Sequence, residues 1–159
     1  MRYFPNPYRD FDGTEVQINA QVWLNKAKNV ANVILSNIKH VESNIDGGLY
    51  VGPAGVAYAF LKLSSFVTPP EAQQVLVHAE NLVNLNLMYV QRPDLQRDKQ
   101  NKVGFLLGAT GVQAVAAAIA SAKGDQGMVQ ANLQKFCLII QEGILGPGVV
   151  HRCGSDELL

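Results

Sequence analysis

Two stretches, Gly48-Leu49-Tyr50-Val51-Gly52-Pro53-Ala54-Gly55-Val56 and Gly104-Phe105-Leu106-Leu107-Gly108-Ala109-Thr110-Gly111-Val112, share the pattern Gly-apolar-x-x-Gly-x-x-Gly-Val and lie 56 positions apart. Each opens a run that is apolar or small on every side, Val56 to Leu63 after the first and Val112 to Ala122 after the second. A continuous apolar run fits either a buried strand or a buried helix. The alanines and the absence of alternation favour a helix in both places. Glycines at Gly48, Gly52, Gly55, Gly104, Gly108 and Gly111 are expected to let the chain turn with positive φ and to let the start of each helix approach its neighbour closely.

Between and around these runs lie longer segments of a different kind. Glu15 to Val41 lacks Gly and Pro, and Val16, Ala20, Trp23, Ala27, Val30, Ile34, Ile38 and Val41 recur in steps of three and four, the period of an amphipathic helix. Thr68-Pro69-Pro70-Glu71 is a capping box with proline where no amide is needed, and it predicts a helix that ends near Arg92, before Pro93. The apolar face of that helix is Ala72, Val75, Leu76, Ala79, Leu82, Val83, Leu87 and Val90, with His78, Asn81 and Asn84 off it. Gly124 closes the second apolar run. Met128 to Ile144 then carries Val129, Leu133, Phe136, Cys137, Ile140 and Ile144 on one face, which predicts a core position for the Cys137 thiol.

Two helix types thus alternate. A helix apolar all round must be enclosed, whereas a striped one covers it and faces water, so the expected fold is all-α with an inner and an outer layer. A repeat of this length holds one helix pair with its loops, as in a helical array or toroid in which each unit buries its neighbour's face. About five helices fit into residues 15–159, behind an arm over residues 1–14 that carries Pro5, Pro7 and the turn-prone Asp12-Gly13.

Composition narrows the function. Lys and Arg number 13, as do Asp and Glu, and a net charge of +0 provides no field for nucleic acid or for an anionic membrane. Charged residues are 16% of the chain against ~25% in ordinary soluble domains, so more surface than usual should be buried. No apolar run reaches the ~20 residues of a membrane span, and Arg2 stands where N-myristoylation needs glycine, so any membrane contact is expected to be peripheral. Met1 to Asp10 lacks the apolar core of a secretory signal, and with two cysteines, Cys137 and Cys153, a reducing cytoplasmic compartment is expected.

Residues able to do chemistry are sparse. The glycine turns match neither dinucleotide nor P-loop patterns, and no strand precedes them. His151-x-Cys153 with Asp156 and Glu157 is not a recognised zinc spacing. His40 suits the end of a helix, and His78 pairs with no serine or cysteine motif. Asp46, Asp94, Asp98 and Asp125 fall in predicted turns, where aspartate is ordinarily found.

Phe4-Pro5-Asn6-Pro7-Tyr8, both glycine turns and Cys153-Gly154-Ser155-Asp156-Glu157-Leu158-Leu159 together resemble the LanC-like proteins, eukaryotic relatives of the bacterial lanthionine cyclases. The resemblance covers essentially the whole chain but only the first third of a family member. It implies the N-terminal arc of an α/α toroid, a double ring of seven outer and seven inner helices. It also implies zinc, held by two cysteines and a histidine with one Cys-His-Gly motif, and a thiol chemistry directed at glutathione or at dehydroamino acids in peptides. Those ligands belong to the C-terminal half of the family, and no Cys-His pair occurs in this sequence, so neither a catalytic residue nor a metal ligand is expected in this chain. Arg2 occupies the place of an arginine associated with the family's glutathione pocket. The last stretch resembles the lead-in to a third turn, which implies a fragment. The alternatives are a non-catalytic helical-repeat interaction protein, or a short isoform without activity. A six-hairpin glycosidase toroid shares the helix-pair logic but needs paired carboxylates that cannot be picked out here.

Overall fold

The computed structural model describes residues 7, 9–10, 12–15, 17–39, 48–93 and 103–145. All regular structure among them is helical: α1 (Ala20–Ser36), α2 (Pro53–Ser64), α3 (Pro69–Val90), α4 (Ala109–Lys123) and α5 (Gln126–Leu145). The two short apolar runs are α2 and α4, as their composition predicts. Each forms a hairpin with the helix that follows, α2 with α3 and α4 with α5, while α3 also packs on α4 and α2 lies beside α4.

Enclosure follows the expected layering most fully at α4, where ten residues from Ala109 to Ala120 are buried. Its alanines let neighbouring helices approach closely, and Val112, Val115 and Ile119 fill the space that remains. Helix α3 presents Leu76, Ala79, Leu82, Val83 and Val90 to the core, all from the face that its periodicity marks. Helix α2 is less enclosed, burying Pro53, Ala54, Ala57 and Phe60 but leaving Tyr58 exposed.

The first and last helices depart from the predicted stripes. Helix α1 starts at Ala20 rather than near residue 15, because Asn19 caps it by accepting a 3.1 Å hydrogen bond from the Val22 amide. It packs on the core through Ala31, Ile34 and Leu35, with Ile38 just past its end; Ile34 and Ile38 are on the predicted stripe, while Trp23 (59%) and Val30 (60%) of that stripe are exposed. More than half of its circumference is apolar, and the seam it uses is the one that brings Lys28 within 2.8 Å of Glu71 on α3. Helix α5 buries Asn132 and half-buries Val129, Phe136, Ile139 and Ile140, so its packed face is turned away from Leu133 and Cys137, both exposed. The core thiol expected at Cys137 is therefore not found. The turn before α5 sets this phase. Gly124 takes φ +79 and returns its amide to α4, and Asp125 then caps α5 through the Met128 amide at 3.0 Å.

Glu71 serves two elements at once. One carboxylate oxygen takes the amide (3.1 Å) and hydroxyl (2.9 Å) of Thr68, starting α3, and the other takes Lys28 of α1. The Lys28 ammonium first, and the Thr68 bonds after it, hold the Glu71 carboxyl down at about 2 against an ordinary 4.5. A depressed carboxylate stabilises the fold at pH values above its unfolded pKa, and that support is lost as pH falls through the folded value. Between about pH 4.5 and 2, α1 should therefore lose hydrogen-exchange protection before α4 does. The Lys28→Met variant should show weak α1 protection already at pH 6 and little further change on acidification. Exchange measured by mass spectrometry on the two peptides reads this directly. Equal, pH-independent protection of α1 in both proteins would contradict it.

Candidate functional site

The best-built place in the chain is the end of the bundle where the two glycine turns meet. The Tyr50 amide donates to the Leu106 carbonyl at 2.8 Å, and these are equivalent positions of the two copies. The Cα of Gly48 lies against the backbone of the second turn so closely that a Cβ there would stand 2.6 Å from the Leu107 carbonyl carbon and 2.8 Å from the Gly108 amide nitrogen. Within each copy the third glycine repeats one contact. Gly55 rides over the Leu49 carbonyl and Gly111 over the Phe105 carbonyl, both too close for any side chain.

Close approach thus accounts for Gly48, Gly55 and Gly111. Positive φ does not: among the described residues only Gly13 and Gly124 adopt it, while Gly52 and Gly108 sit at φ −97 and −116 as helix N-caps. The expectation that the motif turns on left-handed glycines is corrected accordingly. Gly104 is buried, and its carbonyl, with that of Val103, accepts the Thr110 hydroxyl at 2.9 Å. Arg2 lies outside the described residues, as do His40, Asp46, Asp94, Asp98, His151, Cys153, Asp156 and Glu157.

The amides at the start of α2 are already used. Pro53 has none, Ala54 donates to the Asn86 side-chain oxygen at 3.1 Å, and Gly55 donates to the Gly52 carbonyl. A helix start whose donors are satisfied internally has nothing left with which to cradle a phosphate. Asn86 is fully buried. Its role was readable only as an anomaly, a polar residue at the four-residue step between Leu82 and Val90 on an otherwise apolar stripe. Gln113, 3% exposed on α4, is a second such residue, and its side-chain oxygen has no hydrogen-bond partner among the described residues. The turns also carry exposed apolar side chains, Tyr50, Val51, Phe105 and Leu107.

Metal ligands are not assembled. Among the described residues no three of His, Cys, Asp and Glu come together, and Cys137 is exposed on α5. These residues do not fit the zinc site that the resemblance assigns to complete family members. No helix among the described residues is long and apolar enough to cross a membrane. No family model matches the chain, and no solved structure matches it.

Four measurements check this geometry. Gly55→Ala and Gly111→Ala should abolish cooperative unfolding, since the new methyl would overlap a backbone carbonyl. Gly124→Ala should cost only ~1–2 kcal/mol for its left-handed conformation, and Gly127→Ala, with room for a Cβ, should gain up to ~1 kcal/mol. Asn86→Leu, which leaves the Ala54 amide buried without its acceptor, should cost ~1–3 kcal/mol in urea unfolding. In a Cys153→Ser background, Cys137 should react fully with a thiol reagent in native buffer, and a requirement for denaturant would place it back in a core.

Proposed function

We propose that this chain is the opening arc of a helical toroid of the LanC-like kind, and that the complete protein handles thiols, glutathione or a thiol-bearing peptide among them, with zinc held by residues outside this chain. The observation that carries the reading is the seating of one glycine turn on its copy. The contact joins equivalent residues, Tyr50 to Leu106, so it is head-to-tail and can be extended by further units of the same kind. The alternation of an enclosed helix with a covering one supports the same architecture, and the motif residues quoted above support the family.

On this reading the present residues supply scaffold. The paired turns set the spacing of the inner helices, Asn86 fixes the start of α2, and the reacting groups come from elsewhere. A second reading, a helical-repeat interaction protein without catalysis, is favoured by the exposed apolar side chains Val22, Trp23, Val30 and Val33 on α1.

The two readings separate on length and metal. The natural transcript, read across the codon for Leu159, should continue into a third glycine turn and later a Cys-His-Gly motif. The longer product, purified and analysed by plasma mass spectrometry, should carry about one zinc per chain, and the 159-residue chain none. A transcript that stops at Leu159, or a longer product without zinc, would leave the interaction reading in its place.

A further inference from the structure

We draw no further inference here: the strongest candidate, the outward apolar face of α1 formed by Val22, Trp23, Val30 and Val33, carries nothing because no feature of the described residues shows what covers it.

Discussion

The contact of one backbone with another at the glycine turns is the constraint on which the rest of the structure depends. A hydrogen bond from Tyr50 to Leu106 and the absence of a side chain at Gly48 bring the starts of α2 and α4 to a fixed separation. Helices that begin this close need small residues in the core around them, and Ala54, Ala57, Ala109 and Ala116 are all buried in it. Helix α3 packs against both. That placement accounts for the contrast between its continuous run of buried residues and the single buried residue of α1, which meets the core across a narrower seam.

Polar groups refine what apolar packing leaves open. Burial of Leu82, Val83 and Ile119, worth ~1.5–3 kcal/mol each, favours a collapsed bundle but specifies no helix start. Asn86 does so for α2, because a buried amide is satisfied at one axial position of α3 and at no other. Lysines at the margins act similarly across elements: Lys28 ties α1 to Glu71, and Lys123 ties the end of α4 to Glu80. Each is an exposed or half-exposed pair of modest strength; the first joins α1 to α3 and the second α4 to α3.

What could be read in advance divides along the same line. The five helices, the capping box at Thr68 and the stop at Gly124 follow from local chemistry, and all but the bounds of α1 fall where their signals lie. The face of α3 was legible because it is apolar on one side only. Helices α1 and α5 are apolar over a wider arc, so their stripes admit several docking angles; for α1 the choice goes with a partner distant in sequence, Glu71 for Lys28, and for α5 with the left-handed turn at Gly124 just before it. The glycine motif announced a close approach, but not that one copy would sit upon the other, since nothing in either pattern names its neighbour. Buried polar positions such as Asn86 and Gln113 show in apolar periodicity only as interruptions of a stripe, with no sign of what each meets. The candidate ligand residue Arg2 lies outside the described residues.

Because the first turn rests on a turn 56 residues downstream, its support does not exist when it is made. At ~5–20 residues per second of synthesis, roughly 3–11 s separate the emergence of Gly48 from that of Gly104. During this interval the amide of Ala54 gains its acceptor as soon as Asn86 arrives, 32 residues later, so the α2–α3 hairpin is completed first. The Tyr50 amide waits longer, until Leu106 has been made. Synthesis thus lets the chain close its helical pairs in the order in which they are made, and the seating of one turn on the other is a late event of that sequence.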